Sequence, residues 1–124
     1  MKRKIKFKAW DKKNKQFLDP RKWAKELRIH LSGGISVDSN LAEKENVSVF
    51  EIEIQQFTDF YDKNGKEIYC SDFVGVSKEK YGEVYWNEDE LAWWVEPIGT
   101  YPCEPLRGKG KAVEILGNKY EGLA

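Results

Sequence analysis

Residues 2–10 read KRKIKFKAW, and residues 50–55 read FEIEIQ. Both stretches alternate. In the first, Lys2, Lys4, Lys6 and Lys8 point one way, and Arg3, Ile5, Phe7 and Ala9 the other. In the second, Phe50, Ile52 and Ile54 share one side, and Glu51, Glu53 and Gln55 the other. A period of two is the signature of a half-buried strand. Pairing the two would set the lysine row across from Glu51 and Glu53 and turn both apolar rows into one core. Exposed ion pairs of that kind are worth about 0.2–1 kcal/mol each, so they help to set register rather than hold the fold. The two segments therefore predict an N-terminal antiparallel sheet. Val47 and Val49 fall out of phase with Phe50, which predicts a bulge or bend just before the second strand.

Outward from these strands the chain is punctuated by turn and cap signals. Asp11-Lys12-Lys13-Asn14-Lys15 is a polar turn, and Gln16-Phe17-Leu18 returns as a short strand. Asp19-Pro20 is a helix start, with Asp19 as cap and Pro20 at the first helical position. Trp23 and Leu27 then share a face, Ile29-His30-Leu31 reads as extended, and Ser32-Gly33-Gly34 breaks any helix. Residues 36–46 carry no periodicity and read as a loop. Asp62–Lys66 contains an Asn-Gly turn, after which Ile68, Tyr69, Phe73, Val74 and Val76 suggest extended chain.

Tyr81–Asn87 and Leu91–Glu96 form a predicted hairpin around Glu88-Asp89-Glu90. Val84 and Trp86 share one face, as do Trp93 and Val95 on the partner, while Tyr85 and Trp94 point the other way. Residues 97–111 read as loop and Ala112–Leu116 as the last strand, ended by Gly117-Asn118. Short strands at this spacing suit a small barrel of the SH3 kind. The expected fold is thus mainly β, a β-rich α+β arrangement. An N-terminal sheet with one short helix (1–57) packs on a small barrel (58–124) as one unit.

At 124 residues the chain is one ordinary domain or two very small modules. Its aromatic content, 14%, is too high for a disordered chain. Lys and Arg number 21, as do Asp and Glu, which argues against a dedicated non-specific nucleic-acid binder. The charges are unevenly placed, however. Residues 1–16 hold Lys2, Arg3, Lys4, Lys6, Lys8, Lys12, Lys13 and Lys15 against Asp11 alone. Residues 81–96 hold Glu83, Glu88, Asp89, Glu90 and Glu96 and no base. Opposed patches of this kind suit self-association. Cys70 and Cys103 stand far apart in no metal-binding pattern and read as reduced thiols. No apolar run approaches a bilayer span and the N-terminus has no apolar signal core, so a cytoplasmic protein is expected.

Candidate chemistry is sparse. His30, the sole histidine, lies in an apolar-flanked run and reads as structural or surface. Glu88-Asp89-Glu90 fits a solvated hairpin tip better than a cation loop. Glu51 and Glu53 lie on a solvated face, without the dry cleft that acid–base work needs. Gly108-Lys109-Gly110-Lys111 lacks the Ser/Thr and the following helix of a phosphate loop. No catalytic residue, cofactor or metal is expected. The best contact candidates are Lys4, Lys6 and Lys8, whose spacing of about 6.8 Å suits phosphates, with Lys109, Lys111 and the aromatics Tyr85 and Trp94. Trp10 also belongs to the aromatics expected off the core face.

Three stretches resemble the YopX family. Ile5-Lys6-Phe7-Lys8-Ala9-Trp10-Asp11 is close to the family's opening I-K-F-R-A-W-D. Gln56-Phe57-Thr58, followed by Asp62-Lys63-Asn64-Gly65-Lys66-Glu67-Ile68-Tyr69, is similar to Q-F/Y-T-G-L-x-D-K-N-G-K-E-I-F/Y-E-G-D-I-V. Ile115-Leu116-Gly117-Asn118-Lys119-Tyr120-Glu121 resembles V-I-G-N-I-Y-E. The matches lie in order and span nearly the whole chain. Asp59-Phe60 stands where the family has Gly-Leu, and Cys70-Ser71 where it has Glu-Gly. If those turns need positive φ, Asp59 is tolerable and Ser71 fits poorly. The resemblance implies a small phage or prophage protein of the bacterial cytoplasm, with no established activity and no catalytic residues to carry over. The expected function is a non-enzymatic accessory role through protein contacts, with a homo-oligomer and a phage or host protein as partners and no membrane. The alternative is a nucleic-acid-binding small-barrel module that uses the lysine strand and exposed aromatics.

Overall fold

Strand β1 (Phe7–Asp11) forms in the first alternating stretch, and β2 (Gln16–Phe17) returns antiparallel to it, with Trp10 opposite Phe17. The computed structural model describes residues 6–23, 25–30, 34–106 and 113–124. The expected placements of residues 2–5, of the breaker at 32–33, and of Lys109 and Lys111 lie outside the described residues. The chain divides into two compact parts. One is Lys8–Ile54; the other is Gln55–Ala124 together with Lys6 and Phe7.

In the first part, the β1–β2 turn is organised by Asp11. Its Oδ1 accepts the N–H groups of Lys13 (3.0 Å) and Asn14 (3.3 Å), and its Oδ2 accepts the Asn14 amide (2.6 Å). Helix α1 (Pro20–Trp23) starts at the predicted proline, with the Asp19 carboxylate accepting from Arg21 N–H at 2.9 Å. Strands β3 (Leu27–Ile29) and β4 (Ile35–Val37) form an antiparallel pair. The loop expected over 36–46 is corrected: β4 leads into helix α2 (Ser39–Glu45). Asp38 caps its start, and Asn46 ends it in the left-handed conformation, φ 56°. Ala9, Leu18, Trp23, Ala42, Val47 and Ile52 make the core of this part.

The expectation that both apolar rows point inward is corrected at two rings. Val49–Glu51 coil into a 3₁₀ turn, which swings Phe50 out to 92% exposure and leaves Ile52 as the buried residue. The out-of-phase valines mark this turn. Phe7 is 43% exposed, and the end of β1 abandons alternation, with Ala9, Trp10 and Asp11 buried in succession. Trp10 is therefore a packed residue, set edge-on to Phe17 at 4.9 Å, not an exposed platform.

The second part begins within β5 (Ile52–Tyr61), which flanks β1 on the side away from β2 and pairs antiparallel with β6 (Glu67–Tyr69). Gln55, expected on the solvated side, is buried; its amide donates to the Cys70 carbonyl at 2.6 Å. Gly65, at φ 81°, supplies the Asn-Gly turn. Strands β7 (Asp72–Ser77), β8 (Lys80–Asn87), β9 (Ala92–Gly99), β10 (Glu104–Pro105), β11 (Glu114–Asn118) and β12 (Gly122–Leu123) form an antiparallel sheet in the order β10-β9-β8-β7-β11-β12. Two boundaries differ from expectation. β9 and β10 cut into the expected loop over 97–111, and β11 runs through Gly117-Asn118 rather than stopping there, with β12 following. Ile68, Val74, Val84, Trp93, Val95, Tyr101, Leu106 and Val113 fill the core. The fold is mainly β, as expected.

Candidate functional site

The β8–β9 hairpin forms with the expected faces, and its turn takes in Leu91, so that Asn87 pairs with Ala92. Val84 lies opposite Val95, Tyr85 opposite Trp94, and Trp86 opposite Trp93. Because side chains alternate along a strand, Val84, Val95 and Trp93 turn into the core, and Trp93 holds Trp86 edge-on at 5.1 Å. Tyr85 and Trp94 turn to the other face, where both are half-buried. Continuing that register, Glu83 lies directly opposite Glu96 and Tyr81 opposite Ile98. On the neighbouring strand β7, Phe73 lies opposite Glu83, and its ring meets that of Tyr81 edge-on at 5.4 Å. The outer face of β7, β8 and β9 thus carries two opposed carboxylates bordered by the rings of Phe73, Tyr81, Tyr85 and Trp94.

The electrostatics of this face follow from its burial. Burial pushes the Glu83 carboxyl above its usual range; Lys119 opposes the rise and Glu96 adds to it. Neither glutamate has an ion-pair partner among the described residues. Burial likewise pushes up the Tyr85 hydroxyl, with contributions from Cys103 and Glu96. The hairpin register also contains the Glu83–Glu96 pair. Once Val84 is set against Val95, the two glutamates one step outward must face each other, a consequence that reading each residue separately misses.

The other contact candidates do not gather there. Lys6 forms an ion pair with Glu67 at 2.6 Å, rather than with Glu51 or Glu53, and lies over the Phe57 ring at 5.9 Å. The Lys8 ammonium lies over the Phe17 ring at 5.3 Å. Glu53 is met by Lys12, at 3.3 Å. Lys4, Lys109 and Lys111 lie outside the described residues. Among the described residues, no three His, Cys, Asp or Glu side chains come together as a metal site, and no helix is long and apolar enough to cross a membrane. His30 lies on the surface with Nε2 3.0 Å from the Ser36 hydroxyl. Cys70 and Cys103 are free thiols, and burial pushes that of Cys70 up, away from reactivity.

A family model described as YopX protein matches residues 6–122. The chain belongs to the YopX family. Among curated proteins none matches significantly. Among solved structures, protein EF1440 from Enterococcus faecalis is similar, with 21% identity, 97% of this chain and 96% of that chain covered, and a TM-score of 0.58. At that identity the likeness is one of fold.

The YopX stretches quoted above prove to be turn builders. Asp11 closes the β1–β2 turn. Asp62 closes the β5–β6 turn, accepting from Asn64 and Lys66 N–H at 2.8 and 2.9 Å. Asn118 closes the β11–β12 turn, accepting from Tyr120 and Glu121 N–H, both at 2.9 Å. Each polar residue is buried and spends its side chain on backbone donors, which is a structural role. The two positions where the YopX pattern has Gly and this chain does not are both left-handed here, Asp59 at φ 69° and Ser71 at φ 73°.

Proposed function

We propose that this protein is a non-enzymatic accessory protein of a phage or prophage. It acts in the bacterial cytoplasm through protein–protein contacts, self-association among them. The observation that carries this reading is the outer face of β7, β8 and β9, where four aromatic rings stand on a sheet surface rather than in the core. Aromatic residues grouped on an accessible face are the usual anchors of protein interfaces. Asp11, Asp62 and Asn118 of the family motifs spend their side chains on turns, which supports a structural role for those three.

The test is a pull-down of the tagged full-length chain from bacteria carrying its phage or prophage, run beside sedimentation and light scattering of the purified protein. A specific captured protein, or a concentration-dependent oligomer, is the expected result. A strictly monomeric chain that captures nothing specific refutes the reading.

One observation favours a second reading. Tyr85 directly opposite Trp94 is a stacking platform of the kind used by single-strand binders. Against it, Lys6 is already engaged by Glu67, and phosphates would meet Glu83 and Glu96. Polarisation of labelled single- and double-stranded oligonucleotides at low salt decides it: binding that weakens on Lys6→Glu plus Lys8→Glu would favour the second reading over the first.

A further inference from the structure

We infer that the outer face of β7, β8 and β9 is a docking face for a basic, extended segment of a partner protein, with Lys or Arg side chains seated at Glu83 and Glu96 between aromatic rings. The inference rests on the protein-contact reading above and adds the chemistry of the partner.

The argument starts from an arrangement that weakens the sheet. Like charges directly opposite on neighbouring strands are destabilising, yet Glu83 faces Glu96 in mid-hairpin. Lys119 acts on Glu83 from a distance without closing an ion pair, and its ammonium lies over the Tyr120 ring at 5.5 Å. The pair therefore presents negative charge that no described residue closes into an ion pair, on a face where Glu96 is exposed and Glu83 half-buried.

The surroundings suit a cation attached to a chain. Tyr81 and Tyr85 flank Glu83 along β8, and Trp94 and Ile98 flank Glu96 along β9, all on one face by strand alternation. Ring faces attract ammonium and guanidinium groups, Trp most strongly. An extended segment repeats its side chains every two residues, about 6.8 Å apart, so one basic group can sit at the carboxylates while its neighbours lie along the rings. Several of the chain's own lysines are a poorer source of that cation: Lys6, Lys12, Lys22 and Lys63 already pair with Glu67, Glu53, Glu45 and Glu114. A phosphate backbone would be repelled by the same two carboxylates.

The test uses the full-length protein and two fluorescent peptides, one alternating Lys and Val, the other alternating Glu and Val. At low salt the Lys peptide is expected to bind saturably and the Glu peptide not to bind. Glu83→Gln with Glu96→Gln should weaken the Lys peptide by about tenfold or more, as should Trp94→Ala. Removing the like-charge pair should also leave the thermal midpoint of the double glutamine variant equal or higher, which separates lost binding from lost folding. No binding of the Lys peptide, equal binding of the Glu peptide, or indifference to the double glutamine change overturns the assignment. So does a lower midpoint, which would mean that the pair is neutralised within the chain. Self-association abolished by the double glutamine change would make a second copy the occupant and overturn it too. The pull-down separates this inference from the reading beneath it. Partners captured equally by wild type and the double variant sink only the docking face, whereas no capture or self-association by wild type sinks the protein-contact reading itself.

Discussion

The Asp62 carboxylate accepts the backbone N–H of Ile115 at 3.1 Å, tying the β5–β6 turn to a strand 53 residues further on. Its other oxygen holds Asn64 and Lys66. Burial alone would raise this pKa, but the N–H groups of Lys66, Ile115 and Asn64, with the Lys66 charge, outweigh it and hold it below the ordinary 3.8. A depressed carboxylate contributes stability above its unfolded pKa and loses it as pH falls through the folded one. Asp62→Ala should therefore cost about 1.5–3 kcal/mol at neutral pH. The difference from wild type should shrink as pH is taken below 3.8. Urea melts of both proteins across that range check it; a difference that does not vary with pH would refute the charged clasp.

Ser71 occupies the left-handed region at φ 73° in the turn between β6 and β7, and Asp59 does so at φ 69° within β5. A Cβ in that region costs on the order of 1 kcal/mol, less for Asp, whose short polar side chain tolerates it. Ser71 has little to lose, since among the described residues its hydroxyl meets the Cys70 sulfur alone, at 3.8 Å. Ser71→Gly should raise stability by about 0.5–1 kcal/mol, and Asp59→Gly by less. Denaturant midpoints give the order directly, and a destabilised Ser71→Gly would mean the turn is held by something other than backbone geometry.

Tyr69 and Tyr101 are both pushed up to about 12, first by burial and then by Glu67 and Glu104 respectively. A raised tyrosine favours the neutral form in the folded state. Its contribution is complete below the unfolded value near 10 and is lost as pH climbs toward 12. Ultraviolet titration should show two phenols ionising late or only on unfolding, with stability falling across that window. Tyr69→Phe and Tyr101→Phe should each remove one late phenol and flatten the fall.

Where the residues themselves determine geometry, the sequence can be read correctly. Asp19-Pro20 starts α1, Asn64-Gly65 makes its turn, and the alternating valines and tryptophans set the faces of β8 and β9. The Glu83–Glu96 pair depends on the exact turn length, with Leu91 in the turn and Asn87 opposite Ala92, and alternation alone does not give that. The lysine row was less informative. Alternation says which way Lys6 points but not that Glu67, far along the chain, will meet it. Alternation also cannot foresee a 3₁₀ turn, and it therefore misplaced Phe50. β10 and β12 are two residues each, too short for any period to register.

Helix α2 was missed for a related reason: of its seven residues only Ala42 is buried, so no apolar stripe marks it. Its stability must then come from its ends. The Asp38 carboxylate accepts Leu41 N–H at 2.8 Å. At the other end Val47 N–H returns to the Ala42 carbonyl at 2.8 Å and Asn46 N–H to that of Glu43 at 3.2 Å, a closure that needs the left-handed Asn46. Asp38→Ala should cost about 1 kcal/mol, Asp38→Ser far less, and Asn46→Gly should fall within a few tenths of wild type. Because Ala42 and Val47 both belong to the core of their part, fraying α2 loosens that core as well. Hydrogen exchange should therefore quicken at Leu41 and Ala42 and also at Val47 in Asp38→Ala. Exchange that quickens only within Ser39–Glu45 would show that the caps serve the helix alone.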